Sequence, residues 1–124
     1  MIALVSIAIM IGVFSAMWDE RTIRKRKKLN HYLHAGVRGV VYGVLGWLAI
    51  KDPVLIVAGW FIVTPIHRLM LNGFMGWSMF YVGSTAWYDR ALHWLADKAN
   101  IDEVGQFITV FEVLVFTVIV IFAL

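Results

Sequence analysis

The stretch that decides the fold is residues 104–124, VGQFITVFEVLVFTVIVIFAL, in which Glu112 is the only charged residue. An apolar run of this length crosses a hydrocarbon core of roughly 30 Å as an α-helix, because the helix rises about 1.5 Å per residue. Three further apolar runs lie at residues 2–18, 35–50 and 54–71. Together they predict an all-α polytopic membrane protein, with four transmembrane helices in a single transmembrane domain that covers residues 1–124.

The composition agrees with a membrane protein and narrows its chemistry. Hydrophobic residues make up 61% of the chain and charged residues 15%, whereas soluble domains carry about 25% charged residues. The absence of cysteine excludes disulfides, thiol catalysis and cysteine metal sites. Neither a Gly-x-Ser-x-Gly nor a Gly-Lys-Ser/Thr motif is present. We therefore expect no cofactor and identify no catalytic residue.

The basic residues predict the topology. Six of the eleven lie together at residues 21–28, directly after the first apolar run. Because Lys- and Arg-rich loops remain in the cytoplasm, this cluster is expected there, which leaves Lys51 as the one basic residue outside and turns both termini outward. We expect a protein of the bacterial inner membrane, with the cluster against anionic lipid headgroups. Nucleic acid is not an expected partner, because no aromatic stacking platform accompanies the charge.

Residues 86–99 predict a fifth helix that lies in the membrane interface. Trp87, Ala91 and Trp94 recur at helical spacing, and charged residues occupy the other face. Ser84 or Thr85 can cap the start of this helix. The helix is either held at the headgroups or presents a face to a protein partner.

Glycine spacing in the second run predicts close helix packing. Small residues on one face let another backbone approach, and such contact drives helix association in lipid. The neighbour is either another helix of the chain or a second copy, so a homo-oligomer or a membrane-protein partner is expected. The residues are Gly36, Gly39, Gly43 and Gly46.

Glu112 and three other polar residues are expected at membrane depth. A lone carboxylate there is unfavourable by a few kcal/mol unless it is paired or protonated. Arg38 and His67 have side chains long enough to reach it, and Tyr42 lies one turn from Arg38. Two interpretations remain open. In the structural one, Glu112 is a clasp between helices or a carboxyl kept neutral by desolvation. In the functional one, it is part of a proton or ion site.

A metal site is a weaker possibility. His31 and His34 are one turn apart, and His67 and Asp89 can reach the same level of the membrane. Three imidazoles and one carboxylate form a ligand set that zinc or iron accepts. Histidines beside a basic loop are more often interfacial side chains.

One segment resembles a known pattern. Arg68, Asn72, Gly76 and the run Tyr81-Val82-Gly83-Ser84-Thr85-Ala86-Trp87-Tyr88-Asp89-Arg90 are similar to a Tyr-x-Gly-x-Thr-x-x-x-Asp-Arg pattern in small uncharacterised membrane proteins of Bacteroidetes and their phages. Asn30-His31, His34 and Arg38 also resemble a patch of that family, so the likeness covers roughly residues 30–90. Where the family has an Asp-Pro pair, this chain has Met70-Leu71. The resemblance implies a location and no activity.

The motif residues also have a structural interpretation. Arg68 can extend to the cytoplasmic surface, and Asp89 in the first turn of its helix favours the positive helix end. Asp89 can pair with Arg68, Arg90 or the basic cluster. We expect a cytoplasmic element fixed by ion pairs, built from Arg68, Asn72, Tyr81, Gly83, Thr85, Asp89 and Arg90.

Three function classes follow from these patterns. The first is a non-catalytic membrane protein that assembles through helix packing as a homo-oligomer or accessory subunit, with a phage-related role included. The second is a small transporter or channel that uses the Glu, Arg and His cluster. The third is a metal-dependent membrane enzyme.

Overall fold

The computed structural model describes residues 1–83 and 87–124, and this part of the chain contains five α-helices and no strand. The all-α prediction is therefore confirmed. The helices are α1 (Ile2–Arg24), α2 (His31–Ile50), α3 (Pro53–Met75), α4 (Trp87–Lys98) and α5 (Val104–Ala123).

Four of the helices, α1, α2, α3 and α5, are long and apolar enough to cross a membrane. They indicate a membrane-embedded protein. α1 and α3 continue past the apolar runs to Arg24 and Met75. α2 begins at His31, where the side chain of Asn30 accepts a hydrogen bond of 3.0 Å from the Leu33 amide and caps the helix.

Helix α3 is the centre of the bundle. It packs most extensively on α1 and also contacts α5 and α2, while α4 is the only other helix that α5 contacts within the described residues. The buried core joins Leu4 and Ala8 of α1 to Tyr42 of α2 and Val63 of α3. α1 and α3 approach closely at Gly12, where a Cβ atom would lie 2.6 Å from the Ile66 Cγ2 atom.

A tight turn makes α2 and α3 an antiparallel hairpin. Lys51 adopts the left-handed conformation after α2, with a φ of 57°. The Asp52 side chain then accepts hydrogen bonds from the amides of Val54 and Leu55, at 2.9 and 3.2 Å. Pro53 occupies the first helical position, where its missing N–H removes no hydrogen bond. The turn therefore stops one helix and starts the next within three residues.

The segment between α3 and α4 is fixed to the bundle by Asn72. This residue is 2% exposed, and its Nδ2 atom donates hydrogen bonds to the carbonyls of Met79 and Tyr81, at 2.8 and 3.0 Å. On α4, the His93 Nε2 atom lies 3.2 Å from the Gly83 carbonyl. These bonds place residues 76–83 and α4 over one end of the bundle, the loop end, where residues 25–30 also lie.

The short α4 is a separate amphipathic helix. Its tryptophans, Trp87 and Trp94, are 61% and 59% exposed. The proposed capping residues Ser84 and Thr85, together with residue 86, lie outside the described residues. An exposed tryptophan face next to charged residues suits the boundary between lipid and water.

The glycine face of α2 is only partly used within the chain. A Cβ atom at Gly46 would lie 3.2 Å from Ile56 and one at Gly39 would lie 3.7 Å from Trp60, so these two glycines face α3. Added Cβ atoms at Gly36 and Gly43 would meet no described atom within 4 Å. The chain therefore packs on two of the four glycines, and a neighbour for the other two stays a prediction. The tightest approaches occur elsewhere, at Gly12, Gly59 and Gly105.

Candidate functional site

A buried carboxylate, Asp19, joins three helices near the loop end. Asp19 is 3% exposed, and each of its oxygens has an imidazole partner. The His34 Nδ1 atom bonds to Oδ1, and the His67 Nε2 atom lies 2.8 Å from Oδ2. The Trp18 ring stacks on the His34 ring with a centroid distance of 3.8 Å. A carboxylate between two imidazoles can share, accept or release a proton.

Sequence reasoning missed Asp19, although a signal for it existed. The buried positions of α1 are Leu4, Ala8, Gly12, Ala16 and Asp19, a spacing of four and then three residues that keeps all of them on one helix face. Extending the stripe of small residues one further turn reaches Asp19. Its burial follows from the packing of that face against α3, which carries His67.

A second ion pair links α3 to α5. The Arg68 Nη2 atom lies 2.7 Å from the Glu112 Oε2 atom, and the two side chains are 18% and 14% exposed. Thr64 donates to the other Glu112 oxygen at 3.0 Å, and Arg68 also donates to the Thr109 hydroxyl at 2.9 Å. The Glu112 carboxylate is therefore paired on both oxygens, as a clasp requires.

The partner of Glu112 differs from the sequence-based prediction. It is Arg68, whereas Arg38 or His67 was expected, and Arg68 points into the bundle instead of extending to the surface. Successive helical residues point about 100° apart. His67 therefore faces Asp19 on α1, while Arg68 turns toward α5 on the same side as Thr64.

Tyr42 does not belong to this cluster. Its hydroxyl donates a 2.8 Å hydrogen bond to the Ile56 carbonyl, close to the turn between α2 and α3. The expected grouping of Tyr42 with Glu112 is wrong, because one helical turn from Arg38 carries Tyr42 away from the loop end.

The two clusters open into one cavity of about 490 Å³ at the loop end. Asp19, His67, Arg68 and Glu112 of the long helices line its inner wall, and its mouth is lined by residues of the loops and of α4, including Asp89. A volume of this size suits a small molecule or a lipid headgroup. The lining residues are Asp19, Ile23, Leu29, His31, Arg38, Thr64, His67, Arg68, Leu71, Asn72, Trp77, Tyr81, Val82, Gly83, Asp89, Leu92 and Glu112.

The possible metal ligands are not gathered into one set. His34 and His67 both contact Asp19, whereas His31 and Asp89 line the cavity. Within residues 1–83 and 87–124, no group of three or more His, Asp or Glu side chains is arranged to hold a metal ion. The predicted grouping of three histidines with Asp89 is therefore not formed.

The motif residues divide between the cavity and the surface. Tyr81 packs edge to face on Trp77, with ring centroids 5.1 Å apart, and both rings line the cavity with Gly83 and Asp89. Arg90 is exposed on α4. Asn72 holds the loop, and Thr85 lies outside the described residues.

Comparisons with protein families, with characterised proteins and with solved structures find no match to this chain. The resemblance to membrane proteins of Bacteroidetes and their phages stays a prediction.

Replacing Asp19 with asparagine is expected to lower the free energy of unfolding by about 2 kcal/mol, the range of a hydrogen bond to a charged group. The amide has one acceptor oxygen and one donor nitrogen, so the imidazole that faces the nitrogen must change tautomer or lose its hydrogen bond. Glu20→Gln is the matched control, because the adjacent Glu20 pairs with an Arg24 side chain that is 60% exposed, and exposed pairs contribute about 0–1 kcal/mol. Unfolding in detergent followed by circular dichroism measures both; equal losses would contradict a special role for Asp19.

Proposed function

We propose that this chain is a small membrane transporter that binds its solute in the loop-end cavity. The observation that supports the proposal is the direct opening of this cavity onto ionisable side chains inside candidate membrane spans. Asp19, His67, Arg68 and Glu112 all line it. Such side chains are unfavourable in a bilayer, and they mark solute and ion pathways where they occur.

The two clusters have different roles in this proposal. Asp19, His34 and His67 exchange a proton as solute enters or leaves. The Arg68 and Glu112 pair connects α5 to α3, the helix on which α5 packs most extensively. A solute that competes for Arg68 loosens α5, and movement of α5 then exposes the cavity to the other side of the membrane.

The proposed orientation follows from the basic loop. Residues 21–28 adjoin the cavity, which Ile23 and Leu29 line. With this loop in the cytoplasm, the cavity opens to the cytoplasm and both termini face outward. The lipid surface next to the cavity mouth is then the anionic inner leaflet.

Transport predicts that the inner wall of the cavity is reached by water-soluble reagents from both sides of the membrane. The chain contains no cysteine, so the single variant Thr64→Cys reports on one place only. We expect a membrane-impermeant maleimide to label this variant both in intact cells and in inverted vesicles. Leu71→Cys, nearer the mouth, is expected to be labelled faster from the cytoplasmic side.

Two controls fix the sidedness. Lys27→Cys is expected to react only in inverted vesicles and Leu124→Cys only in intact cells. If Thr64→Cys is labelled from one side alone while both controls react as expected, the cavity is a binding site without a path across the membrane. Labelling of Lys27→Cys in intact cells would reverse the orientation.

A second candidate function is assembly, as a non-catalytic homo-oligomer or accessory subunit. It is favoured by Gly36 and Gly43, at which added Cβ atoms would meet no described atom within 4 Å. Small residues on a lipid-facing helix allow another helix to approach. Assembly is compatible with transport, since Gly36 and Gly43 are not among the residues that line the cavity.

A further inference from the structure

Three carboxylates line the cavity, and two of them, Asp19 and Glu112, already accept a hydrogen bond at each oxygen; the third, Asp89, lies on α4. Asp19 accepts from His34 on one oxygen and from His67 on the other. Glu112 accepts from Thr64 and from Arg68 in the same divided manner. A cationic ligand at the inner wall would therefore share these oxygens with donors that Asp19 and Glu112 already hold.

The Arg68 guanidinium has N–H groups beyond those bonded to Glu112 and Thr109. A guanidinium carries five N–H groups, and the recorded bonds of Arg68 all come from its Nη2 atom. Its Nε atom is buried and has no hydrogen-bond partner among residues 1–83 and 87–124. Arg38 lines the same cavity. The wall is therefore suited to oxygen acceptors that carry negative charge.

Apolar side chains predominate in the outer part of the cavity, which His31, Asn72 and Asp89 also line. Between Asn72 near the mouth and Thr64 on the inner wall, α3 covers about 12 Å at about 1.5 Å per residue. This part of the wall is lined mainly by aliphatic and aromatic side chains, which are Ile23, Leu29, Leu71, Trp77, Tyr81, Val82 and Leu92. A ligand that fills the cavity thus needs a charged end and an apolar body.

We propose that the ligand of this cavity is an anionic amphiphile whose carboxylate or phosphate group binds at Arg38 and Arg68 while its apolar body packs against Leu71 and Trp77. The proposal rests on the transporter function and names its substrate class. The oxyanion can belong to a free amphiphile or to an anionic lipid headgroup.

Binding to the protein in phosphatidylcholine nanodiscs tests the charge preference. The probes are decanoate and decyl phosphate, with decanol and decylamine as neutral and cationic counterparts of equal chain length. Empty nanodiscs give the partition background for each probe. We expect the two anions to bind at least about tenfold more tightly than decanol or decylamine, which corresponds to about 1.4 kcal/mol.

Two variants test the assigned residues. Arg38→Gln removes a guanidinium, and Arg68→Lys keeps a charge for Glu112 but removes the planar donor group. Each is expected to weaken decanoate binding by about tenfold or more, equivalent to about 1.4 kcal/mol, and to leave decanol binding unchanged. Lys27→Gln is the matched control, because it removes an exposed basic charge at the loop end outside the cavity lining. Circular dichroism and gel filtration establish that each variant is folded.

Nanodiscs that contain phosphatidylglycerol distinguish the two possible sources of the oxyanion, a free amphiphile and an anionic lipid headgroup. Competition between this lipid and decanoate, lost in Arg38→Gln, identifies a lipid headgroup as the ligand; undiminished decanoate binding identifies a free anion. Both results support the proposal.

Equal binding of decanol and decanoate, tighter binding of decylamine, or parental affinity in both folded arginine variants would overturn the proposal. Two-sided labelling of Thr64→Cys would still support transport in those cases.

Discussion

Replacing Glu112 with leucine is expected to destabilise the protein by about 3–5 kcal/mol, the range found when one partner of a buried ion pair is removed. Arg68 and Glu112 are 18% and 14% exposed, so the remaining guanidinium would stay in an apolar setting. Because the pair is the main polar link between α3 and α5, α5 is expected to separate first. Thermal unfolding in detergent, with protease access to α5 as a second readout, measures the effect.

The double variant tests whether Arg68 and Glu112 stabilise the protein as a pair or as two independent residues. Arg68→Leu with Glu112→Leu removes both charges and is expected to recover most of the stability lost in Glu112→Leu, since no unpaired charge remains. Thr117→Val is the control on α5, because the Thr117 hydroxyl bonds only within its own helix in the described structure. A double variant no more stable than either single variant would show that the pair is not a clasp.

Gly12→Leu is expected to separate α1 from α3 and to lower the free energy of unfolding by more than about 3 kcal/mol, beyond the usual overpacking range of about 1–3 kcal/mol. Even a Cβ atom at Gly12 would lie 2.6 Å from the Ile66 side chain and 3.2 Å from the His67 backbone nitrogen. The His67 backbone cannot move aside without shifting its imidazole away from Asp19. Solute binding is therefore expected to be lost together with stability.

Gly43→Leu is the matched control and also tests assembly. A Cβ atom there would meet no described atom within 4 Å, so the fold of the single chain is expected to tolerate leucine. If α2 packs on a second copy through this face, the variant has a smaller assembly in mild detergent, measured by light scattering after gel filtration. An assembly of unchanged size would show that this face of α2 is not an interface. A loss of stability as large as that of Gly12→Leu would contradict the described packing of α2.

Local patterns were sufficient for much of the site. Glu112 was predicted as a site residue because it is the only charge in a long apolar run, and His67 and Arg68 lie near the polar end of another run. The sequence also identified Asn72 and Tyr81 as part of one segment, and both now belong to the loop-end structure. Which of these residues touch was not predictable, because the rotation of α3 about its axis decides which neighbouring helix His67 and Arg68 each face.

Sequence by itself determined the helical class, the number of candidate spans and their order, because a run of apolar residues must satisfy its backbone hydrogen bonds internally in lipid whatever its neighbours are. Tertiary structure alone decided that Asp19 is buried between His34 and His67, that Arg68 is the partner of Glu112, and that Gly12, Gly59 and Gly105 mark the tightest approaches within the described chain. These features depend on the rotation and spacing of the helices. Many side-chain contacts across the bundle set that rotation together, and no single stretch of sequence encodes it.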